Sequence, residues 1–202
     1  MGVYKLSAAG GITTPRTNYS SFLAGNPKFI DNAYESIQTL TAGSGGSASL
    51  TFTSIPQTFT HLQIRGIVRS STANNCYVRY NGDSGSNYGR QYLFGTGTNP
   101  LGSSGDTSTT FNNFGYATSA TSPRNIFSMG IVDILDYTSS TKTKTTRCFS
   151  SYQDNSTDGF VLTYQGVWMA TPTPITSIEI SMQGGTLLSE YSTFALYGIK
   201  GV

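Results

Sequence analysis

The sequence predicts an all-β domain, a jelly-roll-like β-sandwich that carries an extended N-terminal docking arm. Three observations lead there. Apolar residues recur at every second position through most of the chain after residue 34, the period of a strand with one buried face. These segments are short and are broken by Gly, Pro and Asn-Gly, as in sandwiches and barrels. The run Tyr191-Ser-Thr-Phe-Ala-Leu-Tyr-Gly-Ile-Lys-Gly-Val202 still reads as core strand, so that end of the chain is expected to be tied into a sheet.

Residues 1–34 form the first expected unit. They hold Gly10-Gly11, Pro15 and Gly25-Asn-Pro27 among scattered apolar residues, with no lasting period of 2 or 3.6. A segment without periodicity buries little by itself. Its anchors Tyr4, Leu6, Tyr19, Phe22, Leu23, Phe29 and Ile30 suit docking on another surface.

Residues 35–202 form the second unit. Glu35–Thr41 and Ser47–Thr53 flank Gly43-Ser-Gly-Gly46, which reads as a hairpin turn with glycines where positive φ is needed. In Phe59–Arg69, Leu62, Ile64, Gly66 and Val68 face one way, and His61, Gln63, Arg65 and Ile67 the other. Cys76, Val78 and Tyr80 repeat the alternation before the turn dipeptide Asn81-Gly82. Tyr88–Phe94 is another short strand, and residues 95–109 read as a long exposed loop. Ile126–Tyr137 is the densest apolar stretch and is expected to be a central strand buried on both faces. Lys144–Tyr152, Phe160–Met169, Ile175–Met182 and Ser192–Gly201 complete ten or eleven strands, with no helix. Strand lengths vary too much for a symmetric barrel, which favours the two-sheet sandwich.

Only 11% of residues are charged, against about 25% in an average globular domain. Ser, Thr, Gly, Asn and Tyr fill the difference, giving a surface solvated by hydroxyls and amides that limits non-specific electrostatic association. A net charge of +2 gives no footprint for nucleic acid. Lys142, Lys144 and Arg147 are the one basic cluster, read as a solvated hairpin edge because no aromatic platform is interleaved. No apolar run approaches the roughly 18 residues of a membrane span. No export signal is expected either. Cys76 and Cys148 fall in separate strands, as buried thiols or, if those strands are neighbours, one disulfide.

The single histidine, His61, shares the non-core face of its strand with Gln63 and Arg65, which suits a structural residue better than a triad base. No Gly-x-Ser-x-Gly elbow is present, and one His with two distant Cys makes no four-ligand zinc site. Asp133 and Asp136 sit three apart on a strand and cannot act together directly. Asp83, Asp106, Asp154 and Asp158 read as turn residues, and no cofactor is implied. The 13 Tyr, 11 Phe and one Trp offer stacking faces for interfaces or sugar rings. Trp168, within an apolar strand, reads as core or interface. Loops around 82–88, 95–109 and 153–159 are the candidate glycan contacts, through Asp83, Asn87, Tyr88, Asn99, Asp154 and Asp158.

Four phrases add a family resemblance. They are Ala48–Arg65 (ASLTFTSIPQTFTHLQIR), Gly82–Tyr88 (GDSGSNY), Val132–Tyr137 (VDILDY) and Tyr191–Gly201 (YSTFALYGIKG). In this order the chain resembles small tailed-phage structural proteins, virion-associated or tail-fibre-like, found especially in phages of aquatic bacteria and cyanobacteria. The likeness covers about residues 35–201 and contains no catalytic motif. It implies a non-enzymatic virion protein assembled in the host cytoplasm, a tail-fibre or adhesin-like component whose arm docks on other virion proteins. A homotrimer is the expected assembly. A capsid decoration protein, or a carbohydrate-binding module for a host surface glycan, is the alternative.

Overall fold

The structure, a computed structural model, describes residues 33–97, 102–122, 125–153 and 159–200. The expected anchors Tyr4 to Ile30, and the candidate contacts Asn99, Asp154 and Asp158, lie outside the described residues. Ala33–Val202 forms one compact unit. Its described residues contain twelve strands, one three-residue 3-10 turn at Gln183–Gly185 and no α-helix.

The strands are β1 Tyr34–Thr41, β2 Ser49–Phe52, β3 His61–Ser70, β4 Asn74–Tyr80, β5 Tyr88–Thr96 and β6 Gly102–Thr109. They continue as β7 Asn112–Ser119, β8 Ser128–Leu135, β9 Lys144–Gln153, β10 Gly159–Trp168, β11 Ile178–Met182 and β12 Thr193–Ile199. A large antiparallel sheet runs β1-β12-β3-β8-β9-β10-β5-β6, and a small one runs β2-β11-β4-β7. A short parallel contact joins them where Arg69 and Ser70 of β3 meet Thr118 and Ser119 of β7, the kind of corner at which one sheet passes into the other. The chain crosses repeatedly between sheets, so the sandwich predicted from alternation is present with jelly-roll-like exchange of strands.

Burial follows the alternation. Leu62, Ile64 and Val68 of β3, Val132 and Ile134 of β8, and Phe194 and Leu196 of β12 point inward from the large sheet. Phe52, Cys76, Val78, Tyr80, Phe114, Ile178 and Ile180 meet them from the small sheet. Gly66 and Gly130 are cross-strand partners beneath Phe114. A Cβ on Gly130 would stand 2.5 Å from the Phe114 ring, and one on Gly66 2.5 Å from Phe194. These glycines therefore make room for Phe114 to meet Phe194 edge to face at 4.9 Å. The C-terminal strand β12 lies between β1 and β3, well inside the sheet.

Four expectations need correction. Gly43–Gly46 is a turn, with Gly45 and Gly46 at φ of 83°, yet β1 and β2 do not form a hairpin. β1 pairs with β12 and β2 with β11, because the turn carries the chain from one sheet to the other. Residues 102–109 are not loop: they form β6, the edge partner of β5. A Gly/Ser/Thr-rich segment with one sheet face and one free edge has little to bury, so it carries no hydrophobic alternation. β8 is buried on one face only. Met129, Ile131, Asp133 and Leu135 project outward, exposed or half-buried. Lys144 is not solvated either. It is buried, and its Nζ donates to the carbonyls of Ser139 and Lys142, closing the loop before β9.

Cys76 and Cys148 are both buried free thiols, pushed well above the usual thiol range by loss of water. Arg69 is also buried and serves the scaffold. Its guanidinium donates to the carbonyls of Ser119, Ala120 and Ser122 and to Asn125 Oδ1, fixing the start and end of the β7–β8 connection.

Candidate functional site

The turn at residues 80–88 contains three predicted glycan contacts, and it uses them internally. Asn81 and Gly82 have φ of 51° and 70°, the positive pair of a tight turn, closed by Asp83 N–H donating to the Tyr80 carbonyl at 2.9 Å. The Asp83 carboxylate accepts from Trp168 Nε1 at 2.6 Å, from Gly85 N–H at 2.8 Å and from Asn87 Nδ2 at 3.0 Å. Partial burial raises its pKa, but hydrogen bonds from Trp168, Asn87 and Gly85, with Arg79 nearby, outweigh that and hold it below its ordinary value. Tyr88 is fully buried. Its hydroxyl donates to the Asp83 carbonyl at 3.0 Å and accepts the Tyr80 N–H at 3.1 Å. Tyr88 therefore presents no surface to a ligand, and Asp83 and Asn87 are occupied in clamping Trp168.

The described flanks of the predicted loops lie at two ends of one strand ladder, the 82–88 turn at one and residues 96 and 160 at the other. Tyr88 pairs with Trp168 at one end of the β5–β10 ladder, and Thr96 pairs with Phe160 at the other. At about 3.3 Å per residue, those ends are roughly 26 Å apart.

A large concave surface lies between them, on the outward face of the large sheet. It is a groove of about 770 Å³ crossing β8, β9, β10, β5 and β6, within the size range of ligand sites. Pairing sets its floor: Asp133 of β8 opposes Arg147 of β9, Arg147 opposes Gln165 of β10, Gln165 opposes Gln91 of β5, and Gln91 opposes Gly105 of β6. Four steps of about 4.8 Å make this row roughly 19 Å long. Leu93 and Leu135, each 46% exposed, stand beside it. A second hollow of about 630 Å³ shares Gln91, Gly105 and Gln165 and continues toward Gly89, Val167 and Met169. The two form one trough with Gln91 and Gln165 at its waist.

Polar groups in the trough differ in their engagement. Asp133 accepts from Gln63 Nε2 at 2.6 Å and from Arg147 Nη2 at 3.0 Å. Gln63 is engaged in turn by Arg65 Nε at 2.7 Å and by the Tyr34 hydroxyl. Tyr34 and Tyr197 stack at 4.9 Å with the Arg65 guanidinium over both rings. The Arg147 side chain is 78% exposed and has only the Asp133 contact among the described residues. The exposed side-chain amides of Gln91 and Gln165 have no hydrogen-bond partner among the described residues. Gly105 keeps that waist open, since a Cβ there would come within 3.1 Å of Gln91 Cγ.

A smaller cleft of about 210 Å³ is lined by Tyr92, Phe94, Tyr116 and Phe160 with Asn75, Arg90 and Asn113. Its rings already occupy one another. Phe94, Tyr116 and Tyr152 each stack with Phe160 at 5.5–5.9 Å. Its amides are likewise paired internally, with Asn113 Nδ2 donating to Asn75 Oδ1 and Arg90 donating to Asn113 Oδ1. The trough is the better candidate.

Carboxylates near the trough do not form a catalytic pair. Asp133 on β8 and Asp106 on β6 stand four strand steps apart, roughly 19 Å, against about 5–9.5 Å for two carboxyls flanking a glycosidic bond. Each faces a guanidinium, Arg147 and Arg90 respectively. His61 Nδ1 accepts the Asp136 N–H at 3.0 Å, closing the turn after β8. Among the described residues, no cluster of three or more His, Cys, Asp or Glu could hold a metal ion, and no helix is long and apolar enough to cross a membrane.

Gln91, Arg147 and Gln165 were not predicted as site residues. Alternation alone turns them outward, but only the strand order makes neighbours of β8, β9, β10 and β5. Comparison with protein-family models, with curated proteins and with solved structures found no match to this chain.

Proposed function

We propose that this chain is a non-enzymatic structural protein of a tailed-phage virion, an adhesin-like or tail-fibre-like component displayed on the particle surface. One observation carries the reading: a large concave surface offers side-chain amides with no partner among the described residues, while the carboxylates along it, Asp133 and Asp106, are paired with arginine and too far apart to act together. That is equipment for recognition.

Sequence resemblance supports the virion setting. Its four phrases lie on β2–β3, the 80–88 turn, the end of β8 and β12. Two of them meet where the Tyr137 hydroxyl donates to the Pro56 carbonyl. In this reading residues 1–34 hold the protein to other virion proteins, copies associate as a trimer, and the particle is assembled in the host cytoplasm. A capsid decoration protein is the second reading. It is favoured by Ile67, Met129, Phe149 and Val161, which stand outward and exposed on four neighbouring strands of the large sheet and suit a protein cover.

Labelling intact particles with antibody to the full chain tests both. Label on tail appendages, with loss of adsorption when the gene is deleted, is the expected result. Label on the shell moves the assignment to decoration, and particles without label overturn the virion reading.

A further inference from the structure

We infer that the trough on the outward face of the large sheet binds an extended, uncharged polysaccharide, with Gln91 and Gln165 as its recognition residues at the waist. This rests on the adhesin reading above and names the ligand class. Charge is the first argument. Arg147 is offset by Asp133 at 3.0 Å, and Arg90 by Asp106 at 2.8 Å. The lining of the trough therefore has no surplus charge to recruit a nucleic acid or a polyanion.

Hydrogen-bonding capacity is the second argument. Each glutamine side chain offers an acceptor oxygen and a two-proton donor in one plane, and neither amide has a protein partner among the described residues. The guanidinium of Arg147 keeps donors free beyond its one contact with Asp133. Hydroxyl groups both donate and accept, so a polyhydroxyl chain can satisfy this set, while an apolar segment would strand it without water. β8, β9, β10 and β5 are each paired on both sides, so the backbone beneath the polar row from Asp133 to Gln91 offers nothing to strand addition by a peptide.

The third argument is the pattern of apolar contacts. Leu93, Leu135 and Met169 are 46%, 46% and 48% exposed around the polar row. Sugar rings expose C–H faces between their hydroxyls, and this interleaving of amide and aliphatic groups matches them. The shared waist joins hollows of about 770 and 630 Å³, so the occupant is a chain running through both, rather than one terminal residue. The concave form argues against a second copy, whose identical face could not fill it.

The test uses the full-length protein in gel electrophoresis through matrices containing dextran, mannan or laminarin, with alginate as the anionic control. Retardation is expected with at least one neutral polymer and is expected to be insensitive to salt. Gln91→Ala with Gln165→Ala should weaken it roughly tenfold, as two lost hydrogen-bonding groups imply. Gly105→Trp, on the edge strand, should abolish it by filling the waist, and a circular dichroism spectrum like the parent's shows that each variant is folded. No retardation by any neutral polymer overturns the inference. So does retardation by alginate alone that fades with salt, or binding that the glutamine variants leave unchanged. A self-association measured by sedimentation and lost in the same variants would assign the face to a second copy and equally overturn it. Particle labelling remains independent, so neutral-glycan binding by a protein absent from particles sinks the virion reading and keeps the site.

Discussion

In the 80–88 turn, Asp83 accepts hydrogen bonds from Trp168, Gly85 and Asn87, and the Tyr88 hydroxyl both donates and accepts. In the trough, Gln91 and Gln165 project from paired positions on β5 and β10 with no protein partner among the described residues. Both regions are polar, and both contain the side chains that sugars use. What separates them is whether the hydrogen-bonding capacity is already spent. A satisfied network fixes the scaffold, while an unsatisfied exposed one is available to something else. Composition cannot distinguish the two: the candidate contacts Asp83, Asn87 and Tyr88 belong to a turn whose polar groups are already engaged with one another.

That contrast predicts large stability effects in the turn and small ones in the trough. Trp168→Ala should cost about 3–5 kcal/mol, the range for emptying a buried aromatic site, read as a fall in the urea midpoint at constant slope. A loss under 1 kcal/mol would show that the turn is not held through Trp168. Tyr88→Phe keeps the ring and removes the hydroxyl between Tyr80 N–H and the Asp83 carbonyl. Thermal unfolding should record a loss of about 1–3 kcal/mol, the cost of orphaned buried groups.

Asp83→Asn keeps the shape and removes the charge, with an expected loss at neutral pH of about 1–2 kcal/mol for a partly exposed charged acceptor. Its native pKa is depressed. The carboxylate therefore contributes stability above its unfolded value, near pH 4, and loses it as pH falls through the lower native value. Wild type and Asp83→Asn should accordingly converge below about pH 4. A gap that stays constant with pH would mean that the charge is not what the turn uses.

The smallest effects belong to the trough. Gln91→Ala and Gln165→Ala should each leave stability within about 0.5 kcal/mol, as for surface positions without partners. A larger loss in chemical denaturation would show these amides to be structural and would remove the contrast.

Much of the scaffold was legible. The alternation in His61–Ser70, in Cys76–Tyr80 and in β12 identified which side chains enter the core, because a strand's two faces are fixed by local geometry alone. Asn81-Gly82 announced its turn, since few residues accept consecutive positive φ. The burial of Trp168 followed from its apolar neighbours, and that of the cysteines from the thiol's behaviour as a small hydrophobe. β6 was hidden because an edge strand of Gly, Ser and Thr is defined by backbone pairing with β5, which leaves no mark in the side chains. Lys144 looked solvated because the carbonyls that accept its hydrogen bonds, those of Ser139 and Lys142, come within reach only after the loop closes.

By itself the sequence determined the strand class, the inward and outward sets of side chains, and the turn positions. Those depend on interactions within a few residues. Tertiary structure decided which strands are neighbours, and therefore that Asp133, Arg147, Gln165 and Gln91 stand in one row across chain separations of up to 74 residues. That row comes from hydrogen-bonded pairing between distant segments, whose partner choice is settled by packing of the whole sandwich and by no local code.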